Sequence, residues 1–239
     1  MSEKKQEMTI WQHLDELRKR LLFAAITIVV GVAVSILFAD WLLDLIARPI
    51  GGLENLLSIQ VTENLSVYFR VTLLSGFILS LPFTFLQLFL FISPGLTPKE
   101  RKWIILAVPL ATLLFVAGAV FAYLVMLPAA IPFLVEFPGP EVLPKWKDYV
   151  NFVTSLIFWI GLSFEAPLIM FILAKLGIVD ARGLAKQWRI AVIAIALIAA
   201  VATPTPDPIN MALLMAPLLI LYLLGILLAA LASREKSKE

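Results

Sequence analysis

Six apolar segments dominate this chain of 239 residues and restrict what it can fold into. Five of them run for 19 residues or more, close to the ~20 apolar residues that a helix needs to cross a bilayer. The pattern predicts an all-α polytopic membrane protein, a single integral membrane domain over residues 1–239. The predicted spans are residues 21–39, 71–92, 103–127, 149–174, 190–202 and 209–232.

Composition supports the membrane class and removes several kinds of chemistry. The chain is 61% hydrophobic and 15% charged, whereas soluble domains carry about 25% charged residues. It has no cysteine, which excludes disulfides and thiolate metal sites, and its one histidine, His13, argues against a multi-histidine metal centre. We also expect no catalytic residues, no metal and no cofactor, and the chain is not predicted to be an enzyme.

The basic residues predict the orientation of the spans. Four of the 19 lysines and arginines fall on one side, namely Arg48, Arg70, Lys145 and Lys147, and all the others fall on the opposite side. Because basic loops stay in the cytoplasm, both termini are predicted to be cytoplasmic. Of the two long outer loops, residues 40–70 begin with an amphipathic stretch, and residues 128–148 hold five prolines and are predicted to be stiff and irregular.

The fifth span is unusually short. Its 13 residues make about 20 Å of helix, whereas the hydrocarbon core is about 30 Å thick. Prolines 204, 206 and 208 end it, so we expect a short hairpin of the fifth and sixth helices with Asp207 near its tip. In the alternative, residues 187–189 extend the helix.

Glu165 is the only charged residue between positions 149 and 174. A carboxylate at this depth costs at least ~2.5 kcal/mol if it behaves like Asp, so it should face protein or a water-filled hollow. Pro167 has no N–H and removes the helical donor of the Ser163 carbonyl. These residues predict a polar, weakened place in the fourth span.

Two acids on the basic side have both a structural and a functional interpretation. Glu16 lies four residues before Arg20, the spacing of an intrahelical ion pair on an amphipathic helix. Glu100 is predicted to be the third residue of a helix that begins with Pro98 and has Thr97 as its N-cap. Neither role prevents the carboxylate from binding a ligand as well.

Several motifs then resemble one family, that of TatC, the signal-recognising subunit of the twin-arginine protein translocase. They recur in family order over nearly the whole chain, with six spans and both termini inside. The motifs are HLDELRKRL at residues 13–21, FISPGLTPKER at 91–101, FAYLVMLP at 121–128, SFEAP at 163–167 and TPDP at 205–208.

The resemblance implies a fold, a function and partners. The fold is a concave six-helix bundle in the bacterial or archaeal cytoplasmic (inner) membrane. The protein would bind twin-arginine signal peptides of folded cargo at its cytoplasmic face. It would then assemble with single-span partners of the TatA and TatB type, and with itself, for export driven by the proton-motive force. No nucleic acid is expected as a partner.

The resemblance also assigns residues. Glu16 and Glu100 match the acids that contact the paired arginines of the signal peptide, and Arg18, Arg20 and Phe91 match neighbouring recognition positions. Within the membrane Glu165 matches a residue associated with contacts to the single-span partners, and we group Gln87 with it as an intramembrane polar residue. On the outer face Pro49 and Asp207 match functional family positions.

Three other classes of membrane protein are alternatives to this receptor, and the sequence supports them to different degrees. A secondary transporter or channel would use Glu165 as a proton or cation site, although no half-repeats are present and polar residues in the spans are few. An intramembrane protease lacks a histidine near a serine, a zinc motif and an aspartate pair. A structural scaffold differs from a receptor only in whether Glu16 and Glu100 bind ligand.

Overall fold

The computed structural model describes residues 10–93, 98–135, 144–202 and 208–236. Within these ranges the regular structure is helical, apart from one isolated bridge between Leu57 and Lys145, so the predicted all-α class is confirmed. The helices are α1 (Ile10–Ile36), α2 (Ala39–Ala47), α3 (Glu63–Ile92), α4 (Pro98–Phe121), α5 (Leu127–Val135), α6 (Trp146–Ser163), α7 (Ala166–Leu176), α8 (Ala181–Lys186), α9 (Trp188–Ala202) and α10 (Pro208–Lys236).

The helices account for all six predicted spans. Five helical stretches of the described residues are long and apolar enough to cross a membrane, and α9 is an apolar helix of shorter length. The chain is therefore a multi-pass membrane protein. The five long stretches are Trp11–Ile36, Glu63–Ile92, Leu106–Pro132, Trp146–Leu176 and Met211–Ala232.

The predicted short fifth span is confirmed, with one adjustment at its start. α9 begins at Trp188, so part of the alternative extension from residues 187–189 is also correct. Its 15 residues give about 22 Å of helix, still well short of the ~30 Å hydrocarbon core. The proline-rich segment with Asp207 lies outside the described residues.

Two predicted boundaries were wrong: the second span starts earlier than predicted, and the first span ends earlier. The second span begins eight residues earlier than predicted, at Glu63, whose carboxylate accepts the backbone N–H of Ile59 at 2.9 Å. The first span ends at Ile36, three residues before the predicted end, and α2 begins at Ala39.

The start of the second outer loop was also predicted wrongly. Residues 128–135 are helical, although the prolines there predicted an irregular loop. A π-helical turn, Ala122–Met126, connects α4 to α5, and the Leu127 N–H donates to the carbonyl of Ala122, five residues back. Pro128 follows directly, at a position where the wider turn has already changed the bonding pattern, so its missing N–H does not end the helix.

The chain divides into two compact units. Unit 1 comprises residues 1–37 and 75–112, and unit 2 comprises residues 38–74 and 113–239. Both α3 and α4 contribute to each unit. The prediction of a single domain over residues 1–239 stays a prediction, and the two units are described separately.

In unit 1, α1 and α3 make backbone contact through a pair of glycines. A Cβ atom on Gly31 would overlap the carbonyl of Gly76, and a Cβ atom on Gly76 would overlap the backbone of Val32. Small residues allow this approach, and close packing is the main attraction between helices in lipid because burial from water is absent there. The two glycines therefore determine how closely α1 and α3 pack.

In unit 2, α4 and α6 interlock through glycines and large rings. Phe115 is fully buried, and a Cβ atom on Gly161 would come within 2.8 Å of its ring. A Cβ atom on Gly118 would come equally close, 2.8 Å, to the ring of Phe164. Near the break in the fourth span, Gly225 of α10 allows Met170 and Pro167 to pack against that helix.

We expect Gly31→Ala to lower the stability of the purified protein by about 1–3 kcal/mol, because the added methyl group overpacks a backbone contact. The loss should appear although alanine favours a helix over glycine by about 1 kcal/mol. Thermal unfolding in detergent measures it. As a control, Val29→Ile adds one carbon at a site that is 67% exposed and should leave the midpoint of thermal unfolding unchanged. Equal midpoints for Gly31→Ala and the wild type would contradict the close contact.

Candidate functional site

Helices α1 and α3 present matched faces in unit 1. His13, Glu16 and Arg20 share a face of α1 because they are three and four residues apart, and Gln87 and Phe91 are four apart on α3. We call these residues the α1–α3 cluster. It lies near the ends of α1 and α3 that adjoin basic segments, and these ends are predicted to be cytoplasmic.

Arg20 joins the polar residues of the α1–α3 cluster. Its Nη2 donates to Oε1 of Glu16 at 3.3 Å, and its Nη1 donates to Oε1 of Gln87 at 3.1 Å. The Arg20 side chain is 31% exposed and that of Glu16 is 18% exposed, so the pair is partly shielded from solvent. Gln87, which we predicted to be an intramembrane polar residue alongside Glu165, contacts Arg20 in this cluster.

An aromatic contact forms the second part of the α1–α3 cluster. The rings of His13 and Phe91 stack with their centroids 4.5 Å apart and an interplanar angle of 20°. From the sequence, His13 was considered as a possible metal ligand, and this contact was missed. The three-residue spacing of His13 and Glu16 indicates that both lie on one face of α1. The sequence does not indicate that His13 contacts a ring on α3, and only the structure shows it.

The remaining predicted recognition residues are placed only in part. Arg18 is exposed on α1. Glu100 is the third residue of α4, and the helix begins at Pro98 as the sequence predicted. The side chain of Glu100 and the predicted capping residue Thr97 lie outside the described part of the structure.

The fourth span is interrupted where the sequence predicted a weakened place. α6 ends at Ser163, Phe164 and Glu165 form a turn, and α7 begins at Ala166 with Pro167 next. The Glu165 N–H donates to the Leu162 carbonyl at 3.1 Å, and its own carbonyl accepts from Ile169 at 2.9 Å. The main chain is thus satisfied on both sides of Glu165, and Pro167, which has no N–H, cannot serve as the helical donor of the Ser163 carbonyl.

The carboxyl group of Glu165 is enclosed by unit 2. The residue is 3% exposed, and its Oε1 has no hydrogen-bond partner among the described residues. Ser163 does not supply one, since its hydroxyl donates to the Trp159 carbonyl of its own helix at 2.7 Å. A buried polar atom without a partner is costly, by about 1–3 kcal/mol, so this oxygen is suited to accept a hydrogen bond from water or from a partner helix.

On the predicted outer face, two tyrosines fix the end of α2. Tyr123 donates to the carbonyl of Leu45 at 2.7 Å, and Tyr149 donates to the carbonyl of Ile46 at 2.9 Å. The last carbonyls of a helix have no intrahelical donor, so these hydroxyls satisfy groups that would otherwise be orphaned. We call this arrangement the tyrosine clamp, and Pro49 follows directly after it.

The two long loops are also joined by main-chain bonds. Leu57 donates to the carbonyl of Pro144 at 3.0 Å, and Trp146 donates to the carbonyl of Leu57 at 2.9 Å. Below them Arg70 of α3 donates to the hydroxyls of Thr154 and Ser155 on α6, at 2.7 and 2.9 Å. None of these contacts was predicted, because hydroxyl and main-chain partners across long loops leave no periodic signal.

The described residues do not suggest a metal site. No group of three or more His, Cys, Asp or Glu side chains within them could hold a metal ion. The polar groups that the structure brings together are instead suited to hydrogen bonding and ion pairing with a peptide or a helix.

Comparison with known proteins gives a consistent result. The family model for the Sec-independent protein translocase protein TatC matches residues 12–217. The TatC protein of Deinococcus radiodurans is 37% identical over 229 residues, covering 92% of this chain and 85% of that protein. The TatC protein of Carboxydothermus hydrogenoformans is 36% identical, and the match covers 93% of each chain.

A solved structure has the same fold. A crystal structure described as the twin arginine translocase receptor TatC superposes with a TM-score of 0.83 at 31% sequence identity. The match covers 92% of this chain and 99% of that one. A second crystal structure of that receptor, in the detergent DDM, gives a TM-score of 0.84 at 30% identity.

We expect Tyr149→Phe to destabilise the tyrosine clamp by about 1–3 kcal/mol, because it leaves the buried Ile46 carbonyl without a donor. Tyr123→Phe should have a smaller effect, since its hydroxyl is less buried. Faster hydrogen exchange of α2 and the following turn would report the loss. Tyr68→Phe is the control, because the Tyr68 hydroxyl has no partner within the described residues. Unchanged exchange in Tyr149→Phe would show that the clamp does not hold α2.

Proposed function

Because the chain belongs to the TatC family of Sec-independent protein translocase proteins, we propose that it is the signal-peptide receptor and core subunit of a twin-arginine translocation system. It binds twin-arginine signal peptides of folded proteins at its cytoplasmic face. It then assembles with single-span partners of the TatA and TatB type for export that the proton-motive force drives. Family membership favours this role over the secondary transporter that a lone intramembrane carboxylate also fits.

The observation that carries the proposal is the environment of Glu16. Its carboxylate is half-buried, and His13, on the same face of α1, stacks on Phe91 of α3. Only its Oε1 is engaged within the described residues, so Oε2 remains available to a ligand. A helix face that carries both a shielded carboxylate and an aromatic stack is suited to bind a guanidinium, which pairs with carboxylates and stacks on rings.

A pair of acids accounts for a preference for arginine over lysine. Guanidinium binds a carboxylate through a planar two-bond fork, which the lysine ammonium cannot copy. Each charge-assisted hydrogen bond is worth about 1.5–3 kcal/mol. Glu16 and Glu100 together would therefore favour a twin-arginine peptide by roughly 3–5 kcal/mol if both contacts form well, with Arg18, Arg20 and Phe91 lining the same site.

The break at Glu165 supports partner assembly. Its orphaned Oε1 is set in the membrane where a polar group on a single-span helix would satisfy it. Access requires a local opening, because the residue is 3% exposed. The helix is interrupted near Pro167 and has fewer backbone hydrogen bonds there. A local opening at this place therefore breaks fewer bonds than elsewhere in the fourth span.

The proposal also specifies the orientation. The positive-inside rule places both termini and the α1–α3 cluster in the cytoplasm. Signal peptides then meet the site before any of the cargo enters the membrane. The outer face carries the tyrosine clamp with Pro49, and Asp207 in the last outer loop, which we propose as positions that support the active assembly.

We expect a twin-arginine signal peptide with a photo-crosslinker to label the first cytoplasmic loop and α1, and a twin-lysine peptide to label them at least tenfold less. Glu16→Gln and Glu100→Gln should each weaken labelling by about tenfold, since each removes a charge-assisted contact. Asp15→Asn is the matched control, because Asp15 neighbours Glu16 but pairs with Lys19 on an exposed face. Equal labelling by the two peptides would exclude the recognition role.

We expect Glu165→Ala to reduce crosslinks between this chain and a single-span partner by several-fold and to slow export, because a partner's polar group loses its acceptor in lipid. Site-specific crosslinking in membranes measures the first effect, and export of a twin-arginine reporter measures the second. Asp148→Asn removes an exposed carboxylate from the outer end of α6 and should leave both unchanged. Normal crosslinking and export in Glu165→Ala would contradict the partner role.

A further inference from the structure

Arg20 already occupies the carboxylate that the proposed recognition step needs. Within the described residues Glu16 has one charged partner, the guanidinium of Arg20, with Nη2 and Oε1 3.3 Å apart. A guanidinium of the chain therefore sits where a guanidinium of the signal peptide would bind. The exposed fractions of the two side chains, 31% and 18%, allow a ligand to reach the pair.

The contact between Arg20 and Glu16 is weak in its geometry. Arg20 makes one bond to Glu16 because its other terminal nitrogen donates to the Gln87 amide oxygen at 3.1 Å. The bond to Glu16 is also longer than the ~2.7–2.9 Å of a strong charge-assisted bond. Gln87 is neutral, so it holds Arg20 without compensating the charge of Glu16. The carboxylate is thus occupied, but by a partner that a better one can replace.

We propose that Arg20 is an internal competitor for Glu16, which a signal-peptide arginine displaces and which Gln87 retains while the peptide is bound. The inference rests on the proposed function and assigns Arg20 a role within it. A ligand that forms both bonds of the fork replaces the single bond of Arg20. A lysine, which makes only a point contact, gains little from the exchange. Arg20 therefore sets the affinity threshold of the site: its displacement costs every cationic peptide the same, and a ligand limited to a point contact has less binding energy to offset that cost.

A neighbouring pair shows which features are special to Arg20. Lys19 pairs with Asp15 at 3.1 Å with the same spacing along α1. Both of those side chains are largely exposed, at 68% and 58%. Lys19 and Arg20 therefore carry the same charge one residue apart, and only Arg20 connects to Glu16 and to α3. Removing either charge changes the general attraction for a cationic peptide equally.

The test compares Arg20→Gln with Lys19→Gln in the full-length chain reconstituted in nanodiscs. Fluorescence anisotropy gives the affinity for a labelled twin-arginine signal peptide and its twin-lysine counterpart. We expect Arg20→Gln to bind the twin-arginine peptide about two- to fivefold tighter than Lys19→Gln does, the range for a partly exposed ion pair. The twin-lysine peptide should gain by the same factor, because displacing Arg20 costs both peptides equally.

Two further variants separate competition from a structural role. In a Glu16→Gln background, Arg20→Gln should change the affinity no more than Lys19→Gln does, because there is no carboxylate left to compete for. If Arg20→Gln does not fold, Gln87→Leu replaces it. That variant frees Arg20 to make both bonds to Glu16 and should weaken twin-arginine binding, whereas unchanged or tighter binding would refute the proposal.

The outcomes distinguish this inference from the proposed function. A wild-type chain that binds both peptides equally would refute recognition by Glu16 and with it the competition. A wild-type chain that prefers twin arginine, while Arg20→Gln binds no tighter than Lys19→Gln, would refute the competition alone. In that case Arg20 only tethers α1 to α3.

Discussion

Inside a bilayer every backbone polar group needs a partner from the protein, and the fold follows from how this chain meets that requirement. Long helices form their own backbone hydrogen bonds, but in lipid the burial of apolar surface does not drive them to associate. Close contact provides the attraction instead. Gly31 against Gly76 in unit 1, and Gly118 and Gly161 against aromatic rings in unit 2, bring helices together at distances that no larger residue would allow.

The functional candidates are side chains whose hydrogen-bonding capacity the protein leaves partly unused. The turn at Phe164 and Glu165 interrupts a span, and it leaves a carboxylate oxygen without a partner in the described structure. Glu16 is satisfied by one imperfect bond from Arg20. In both places a carboxylate is held in a defined position with part of its bonding capacity unused. A fully satisfied network would be more stable but would have nothing to offer to a ligand.

The sequence predicted the elements well and the contacts poorly. Apolar length located all six spans, and Pro167 located the break, because both depend on residues close together in the chain. The prolines at residues 128–135 led to a wrong prediction, because the preceding π turn changes the bonding pattern and the helix continues without the missing N–H donor. The partners of Arg20 and of the tyrosine clamp could not be predicted, since a hydroxyl or amide across a helix pair leaves no pattern in either sequence segment. For Glu16 and Glu100, composition favoured the structural interpretation, and the family motifs favoured ligand binding.

The π turn Ala122–Met126 has a consequence for comparing this chain with its relatives. Such a turn inserts one residue into a helix, and each residue added rotates the following side chains by about 100°. Tyr123 lies within the turn, so the direction in which its hydroxyl points depends on that extra residue. A relative that lacks one residue here would align well on either side, yet would present a different side chain to the end of α2. An alignment that slides the gap by a few positions would therefore pair residues that do not share a place in space.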